Sequence, residues 1–280
     1  MDLSKVKIVA DSACDLISLD GVDFAVAPLK IITAEKEYVD NSDLDVLAMV
    51  EELKSYRGKS STSCPNASDW LENFGGAEYV FCVTITGGLS GSYNAALVAK
   101  EEYEASNKNA KVFVLNTLSA GPEITLIIEE LKRLILQGLE FDEVVSGITE
   151  YAKNTGLLFI LESLQNFANN GRIKPTVAKI AGVLGIRVVG KASDEGTLQP
   201  LDKRRGEKKA IKAVIEHLEK AGLKKGRVKI AHCFNCEAVE NLVHSINVYF
   251  PEVKVSVHTL RGLCSFYAEI GGILIGFEKH

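Results

Sequence analysis

Two stretches of this chain combine hydroxyl side chains with the residue types that begin a helix. The first reads Thr84-Ile85-Thr86-Gly87-Gly88-Leu89-Ser90-Gly91-Ser92-Tyr93-Asn94 and lies between an apolar run and a helical pattern. Glycines let the backbone approach a ligand closely, and the N–H groups at a helix start carry positive partial charge. With the hydroxyls of Ser90 and Ser92 on either side of Gly91, the segment suits an anion. It equally suits a plain glycine turn in which Ser90 or Ser92 caps the helix.

Known phosphate and hydrolase loops fit this segment poorly. It contains no lysine for a Walker motif, and it lacks the glycine offsets of a dinucleotide loop. A nucleophile elbow needs glycine at both ends of Gly-x-Ser-x-Gly, whereas Ser92 stands where the second glycine belongs. A small-molecule hydrolase that uses Ser90 is therefore a rival hypothesis without a recognisable histidine partner.

The second stretch reads Ser61-Thr62-Ser63-Cys64-Pro65-Asn66-Ala67-Ser68 and precedes a predicted helix. Proline is common at the first position of a helix, so ordinary capping explains part of this pattern. Thr62 and Ser63 would also supply a second set of hydroxyl donors. The two interpretations are compatible.

The elements that must position these loops alternate between strand and helix in the first half of the chain. Apolar, β-branched runs predict strands over 5–10, 26–32, 79–85 and 111–115, and helical spacing predicts helices over 44–56, 93–104 and 122–136. Such alternation is typical of a parallel sheet covered by helices. We expect an N-terminal α/β domain over residues 1–153.

The second half has a different pattern. Strands are predicted over 157–161, 185–190, 197–200, 228–231, 253–258 and 273–277, with helices over 208–220 and 238–248. This order favours a C-terminal α+β domain over residues 154–280. No Pro/Gly/Ser linker separates the halves, so we expect a two-domain α/β protein with its ligand in the cleft between the domains.

Composition excludes several classes of function. The chain has 280 residues and a net charge of −5, which gives no reason to expect nucleic acid as a partner. No apolar run approaches the ~20 residues of a membrane helix, and the first residues lack a secretory pattern. We therefore expect a cytoplasmic protein without an integral membrane segment. Its six scattered cysteines are typical of reduced thiols.

Two further motifs are less specific. Cys233-Phe234-Asn235-Cys236 is a single CxxC pair without a second ligand pair at zinc spacing, so we expect no metal site. The basic run Lys203-Arg204-Arg205-Gly206-Glu207-Lys208-Lys209 indicates either a solvated helix start or a docking patch for an acidic partner or a phosphate.

Several segments, taken in order, resemble the DegV family of bacterial fatty-acid-binding proteins. The resemblance covers nearly the whole chain. Its elements are Asp11-Ser12, Pro28-Leu29 with Tyr38-Val39-Asp40, Thr62-Ser63-Cys64-Pro65, Leu89-Ser90-Gly91-Ser92-Tyr93, Asn116-Thr117-Leu118-Ser119-Ala120, and Gly171-Arg172-Ile173 with Lys174-Pro175.

This resemblance implies a fatty acid buried between two domains. Thr62 and Ser90 match the motif positions of direct carboxylate contacts, with Ser63, Gly91 and Ser92 as further members of that site. Some members of the family present the carboxylate to a separate ATP-binding kinase subunit. The implied partners are thus a long-chain fatty acid and such a subunit, with no cofactor and no catalysis by the chain alone. A lipid carrier or sensor without a kinase is the alternative.

Two positions concern the edge of the implied site. Tyr267 stands where the family usually has a histidine, and a tyrosine hydroxyl can still donate a hydrogen bond; Glu269 would add a negative charge nearby. Arg172 follows the polar turn Asn169-Asn170-Gly171, so we expect it to be exposed near the domain junction. It either caps the preceding helix or contacts a partner or a phosphate, for which a planar guanidinium is suited.

Overall fold

The computed structural model describes residues 1–174, 176 and 185–279, and within them strands and helices alternate. The strands are β1 (Val6–Asp11), β2 (Asp23–Ala27), β3 (Lys30–Ile32), β4 (Glu37–Val39), β5 (Ser61–Ser63), β6 (Tyr79–Thr84), β7 (Lys111–Asn116), β8 (Thr155–Leu161), β9 (Ile186–Ala192), β10 (Leu198–Arg205), β11 (Lys225–His232), β12 (Glu252–Thr259) and β13 (Ile273–Glu278). The helices are α1 (Val46–Ser55), α2 (Ala67–Phe74), α3 (Ser92–Ser106), α4 (Pro122–Leu136), α5 (Phe141–Lys153), α6 (Gln165–Asn169), α7 (Glu207–Lys220), α8 (Cys236–Tyr249) and α9 (Gly262–Ala268).

The first sheet has four parallel strands in the order β2-β1-β6-β7. Alternate residues of β1 point to opposite faces, as the two-residue period of a strand requires. Val9 packs with Trp70 and Phe74 of α2 on one face, whereas Ile8 and Phe81 belong to the core on the other. The predicted parallel-sheet α/β fold of the first half is confirmed.

The second sheet has six strands in the order β10-β9-β8-β13-β11-β12 and is antiparallel except between β11 and β12. Leu158 and Ile160 of β8 pack with α7 and α8 on one face. The intervening Phe159 faces the core shared with the first half. The predicted mixed architecture of the second half is confirmed. The basic run is only partly a helix start, because Lys203–Arg205 end β10 and α7 begins at Glu207.

The single strand predicted over 26–32 is wrong. The chain instead forms β2 and β3, which lie in different sheets, since β3 pairs with β4 and β5 in a small antiparallel sheet. Pro28 stands between them and has no N–H with which to continue the ladder. The N–H of Leu29 donates instead to the hydroxyl of Ser12, at 3.0 Å.

Two consecutive helices connect the sheets. Helix α4 begins with Pro122 and is buried along most of its length. It approaches β13 so closely that a Cβ on Gly276 would lie 2.6 Å from the carbonyl carbon of Pro122. Helix α5 is not among the predicted helices, although Phe141, Val144 and Ile148 recur at helical spacing and are buried.

The predicted domain boundary between residues 153 and 154 falls between the end of α5 and the start of β8. It stays a prediction, and α9 shows why the division is not simple. This helix lies in the chain between β12 and β13 of the second sheet but packs against β3 and α1 of the first half. Among the residues that the structure describes, no helix combines the length and the apolar character needed to cross a bilayer.

Candidate functional site

A cavity of about 290 Å³ lies between the two large sheets, close to the lower end of the ~300–1,000 Å³ that ligand pockets usually offer. Most of its wall is apolar. The apolar lining consists of Leu29, Ile85, Leu89, Leu118, Ala120, Leu157, Phe159, Leu161, Phe167, Ala192, Leu198, Leu263, Ala268 and Leu274. Residues from both halves of the chain line the cavity. The site therefore lies between the two sheets and is not formed by a loop of one half.

A group of polar residues lines the same cavity. It contains the hydroxyl residues Thr62, Ser63, Ser90 and Tyr267, the backbone of Gly91 and the cation Arg172, and Thr86, Ser119, Lys191 and Thr197 line the cavity as well. The Thr62 hydroxyl lies 2.8 Å from the Tyr267 hydroxyl, and either can be the donor. Strand β5 holds Thr62 opposite Ile31 in the small sheet, and the last turn of α9 carries Tyr267. Segments that are distant in sequence thus meet at one hydroxyl pair.

The ring of Tyr267 is fixed by aromatic neighbours. It stacks on Phe167 of α6 with the ring centres 4.6 Å apart, and Phe266 meets it edge-on at 4.9 Å. Burial raises the pKa of Tyr267, and the hydrogen bond with Thr62 only partly opposes this. The phenol therefore stays neutral and can donate a hydrogen bond at physiological pH.

Ser90 lies in the glycine loop that precedes α3. Its oxygen accepts the backbone N–H of Ser92 at 3.2 Å, and its own N–H donates to the carbonyl of Thr86 at 3.2 Å. Because the oxygen acts as the acceptor in the first bond, the hydroxyl proton of Ser90 is available to a ligand. Gly91 is the N-cap of α3, and a Cβ there would lie 3.2 Å from the sulfur of Cys64, another cavity residue.

Ser92 occupies a different place from its neighbours. It is fully buried, does not line the cavity, and donates its hydroxyl to Asp11 at 2.6 Å. The same carboxylate oxygen accepts the N–H of Ile85 at 2.8 Å. Asp11 thus anchors both ends of the glycine loop from beneath. Burial raises the pKa of Asp11 to about 7, while the bonds from Ser92 and Ile85 lower it.

Two further buried acids position the helix that carries Tyr267. Asp40 accepts the N–H groups of Gly262 and Leu263 at 2.9 and 2.8 Å, and Asp15 accepts that of Arg261 at 2.8 Å. Carboxylates at a helix N-terminus satisfy free N–H groups and complement its dipole. Burial nevertheless raises the pKa of Asp15 to about 8, and it also raises that of Asp40.

A contact between the halves closes the cavity on another side. Thr86 donates its hydroxyl to the carbonyl of Gly196 at 2.8 Å, in the turn between β9 and β10. The same threonine oxygen accepts the N–H of Gly88 at 3.0 Å. The glycine loop of the first half is thus tied to a hairpin of the second, a contact that no sequence motif predicts.

Arg172 is exposed and joins two segments of the site. Its Nη1 donates to the carbonyl of Asn170, the C-cap of α6, at 2.6 Å. Its Nε donates to the carbonyl of Leu89, beside Ser90, at 2.8 Å. The bond to Asn170 agrees with the interpretation that Arg172 caps the preceding helix. The bond to Leu89 fixes the guanidinium at the glycine loop. Of the adjoining Lys174-Pro175 element, Pro175 lies outside the described residues.

The remaining residues singled out from sequence lie elsewhere. Glu269 lines a separate polar groove with Asn166 and Phe266 and is not part of the cavity wall. Cys233 is buried, which raises its pKa to about 11, and Cys236 is exposed; both are free thiols. No group of three or more metal-ligating side chains occurs within residues 1–174, 176 and 185–279.

Comparison with known proteins identifies the family. The model of the family described as uncharacterised protein, DegV family, matches residues 5–279. A DegV domain-containing protein of Streptococcus pneumoniae is 42% identical over 276 residues, which cover 97% of this chain and 98% of that protein.

Two solved structures are very similar. One is a DegV family protein from Eubacterium eligens loaded with heptadecanoic acid, with a TM-score of 0.96 and 40% identity over 98% of this chain and 100% of that one. The other is the Streptococcus pneumoniae Fatty Acid Kinase (Fak) B3 protein loaded with linoleic acid, with a TM-score of 0.96 and 42% identity over 99% of this chain and 100% of that one. The resemblance of the motifs is thereby confirmed, and this chain belongs to the DegV family.

Proposed function

We propose that this chain binds one long-chain fatty acid in the cavity between residues 1–153 and residues 154–280. The carboxylate lies at Thr62, Ser90 and Tyr267, with Ser63 and the Gly91 backbone beside it. The observation that carries the proposal is an apolar cavity that ends in a hydroxyl pair, with Thr62 and Tyr267 2.8 Å apart. Ser92 is left out of the proposed contacts because its hydroxyl is bonded to Asp11.

The chemistry of a fatty acid matches both ends of the cavity. Each methylene removed from water contributes about 0.8 kcal/mol. A carboxylate buried without partners is costly, so it needs several donors. In the Thr62–Tyr267 pair one hydroxyl donates to the other, which leaves one proton for the ligand, and Ser90 provides another. Neutral hydroxyls supply these donors, while Arg172, which also lines the cavity, has its Nε and Nη1 bonded to backbone carbonyls.

The two similar structures support this choice of ligand, since one holds heptadecanoic acid and the other linoleic acid. A hydrolase that uses Ser90 has weaker support. Within the described part of the chain, none of the four histidines, His217, His232, His244 and His258, lines the cavity to act as a base.

The proposed role of the bound acid is to serve as the substrate of a separate, ATP-binding kinase subunit. A carboxylate oxygen would attack the γ-phosphorus of ATP, and ADP would leave as the acyl phosphate forms. Two observations support this role. One of the similar structures is a Streptococcus pneumoniae Fatty Acid Kinase protein. In this chain an exposed arginine, Arg172, is fixed beside Ser90. Because ATP is a cytoplasmic substrate, this role places the protein in the cytoplasm.

The kinase role is tested by reconstitution. The chain loaded with oleic acid is mixed with ATP and the ATP-binding subunit of a bacterial fatty-acid kinase, and acyl phosphate is trapped as a hydroxamate. We expect product only when all components are present. Product without the second subunit would contradict a non-catalytic role. Tight lipid binding without any product would favour a carrier or sensor.

A further inference from the structure

The cavity wall contains an aromatic ring that lies over a glycine. Phe159 of β8 is paired directly with Gly190 of β9, so both face the same side of the sheet. A Cβ on Gly190 would lie 2.6 Å from Cε2 of that ring. Phe159 lines the cavity, whereas Gly190 is covered and does not. The missing side chain at position 190 leaves the place that the ring occupies, and a Cβ there would also lie 2.7 Å from the carbonyl oxygen of Gln199.

We infer that the Phe159–Gly190 pair sets the length of acyl chain that the cavity accepts. This inference rests on the proposed fatty-acid function and specifies its substrate. A ring seated over Gly190 leaves the rest of the cavity to the tail, and a Cβ at position 190 would push the ring towards the cavity. Removing the ring would enlarge the space instead. The pair therefore controls the cavity volume in both directions.

The position of Phe159 along β8 indicates that it contacts the tail and not the carboxylate. Leu161, at the end of the strand, leads into α6, where Phe167 stacks on Tyr267. Residues of a strand are spaced by about 3.3 Å, so Phe159 lies about 7 Å from Leu161 along β8, on the side away from α6. Leu157 continues the wall in the same direction. A change at Phe159 should therefore alter chain-length preference while leaving the anchoring of the carboxylate intact.

The opposite face of the same sheet provides a matched control. Phe277 of β13 is paired directly with Gly156 of β8, and a Cβ on Gly156 would lie 2.7 Å from Cζ of Phe277. Phe277 is 3% exposed and Phe159 is 4% exposed, so the two rings are equally buried. Phe277 packs in the core with α7 and α8 and does not line the cavity.

The experiment compares Phe159→Leu with Phe277→Leu. Each protein is delipidated, offered equal amounts of C16 and C20 monounsaturated acids, and analysed by native mass spectrometry. We expect Phe159→Leu to raise the ratio of bound C20 acid to bound C16 acid at least about fourfold. Burying one more methylene of the longer acid increases its affinity by about that factor. Phe277→Leu should keep the wild-type ratio. Gly190→Ala, where it folds, should lower the ratio.

An unchanged ratio in Phe159→Leu, or an equal shift in Phe277→Leu, would overturn the inference. A higher ratio in Gly190→Ala would also overturn it. If Gly190→Ala does not fold, the comparison of the two leucine variants decides alone. A wild-type chain that binds neither acid would contradict the proposed function itself, so the two failures are distinguishable.

Discussion

The side-chain oxygens of Thr62 and Tyr267 lie 2.8 Å apart although 205 residues separate them in the chain. One belongs to a three-residue strand of the small sheet, and the other to the helix between β12 and β13 of the second sheet. The hydroxyl pair therefore forms only when the first and last parts of the chain have folded together. Carboxylate binding at this pair is a property of the assembled fold and not of a local motif.

The first prediction concerns the two loops that supply hydroxyls. Replacing both Thr62 and Ser90 by alanine removes two donors, each worth about 1.5–3 kcal/mol when bonded to a charged group. We expect affinity for oleic acid to fall well over tenfold in a fluorescent-lipid displacement assay, with an unchanged circular dichroism spectrum. Ser68→Ala, an exposed serine in the adjacent helix, is the control. Wild-type occupancy in the double variant would show that the carboxylate binds elsewhere.

The second prediction separates the Tyr267 hydroxyl from its ring. Tyr267→Phe keeps the stacking on Phe167 and removes only the donor. We expect about a tenfold loss of fatty-acid affinity, in line with one hydrogen bond to a charged group. The melting temperature of the lipid-free protein should change little. Tyr249→Phe serves as the control because Tyr249 is 66% exposed. Unchanged affinity in Tyr267→Phe would remove this hydroxyl from the site.

The third prediction concerns the buried acid Asp15. Burial raises its pKa from 3.8 to about 8 in the folded chain, so its protonated form is favoured there. The stabilising contribution is complete below about pH 4 and is lost as pH rises towards 8, by at most about 1.4 kcal/mol per pH unit. Asp15→Asn stays neutral, so the fall in melting temperature between pH 5 and pH 8 should be smaller than in the wild type.

The control for this experiment is Asp20→Asn, because Asp20 is exposed. It should reproduce the wild-type pH profile. If Asp15→Asn also reproduces that profile, the Asp15 carboxyl does not titrate between pH 5 and pH 8. The raised pKa of Asp15 would then be wrong.

The fourth prediction concerns Arg172. Its bonds to Leu89 and Asn170 hold the guanidinium at the edge of the cavity. Arg172→Ala should keep its fatty acid, because the tail and the hydroxyls are untouched, yet lose acyl-phosphate formation in the reconstituted kinase assay by at least about tenfold. Arg133→Ala, which removes an exposed arginine of α4 that does not line the cavity, should retain wild-type turnover. Loss of bound lipid in Arg172→Ala would instead show that the arginine helps to hold the carboxylate.

Much of the polar lining could be predicted from the sequence, because Thr62, Ser63, Ser90 and Gly91 lie in short hydroxyl-rich motifs and Tyr267 follows from the family resemblance. Thr62, Ser63, Ser90, Gly91, Arg172 and Tyr267 were all singled out, and all line one cavity. Ser92 could not be separated from Ser90 by local pattern, since both fit a helix start. The difference comes from Asp11, which lies 81 residues earlier in the chain and accepts the Ser92 hydroxyl.

Other features depend on contacts that no local pattern contains. The acids Asp15 and Asp40 read as ordinary turn residues, yet they bind the start of a helix more than 220 residues later. The bond between Thr86 and Gly196 has no sequence signal for the same reason. Pro28, by contrast, marks the break between β2 and β3, and its missing N–H would have been sufficient to predict that break.

The most direct test of the central claim is the mass of the chain as purified. Native mass spectrometry of the wild type should show one added mass equal to a fatty acid of about sixteen to eighteen carbons, and solvent extraction should release that acid. The Thr62→Ala/Ser90→Ala variant, prepared in parallel, should carry much less. A wild-type chain that is empty, and that stays empty after incubation with oleic acid, would contradict fatty-acid binding in this cavity.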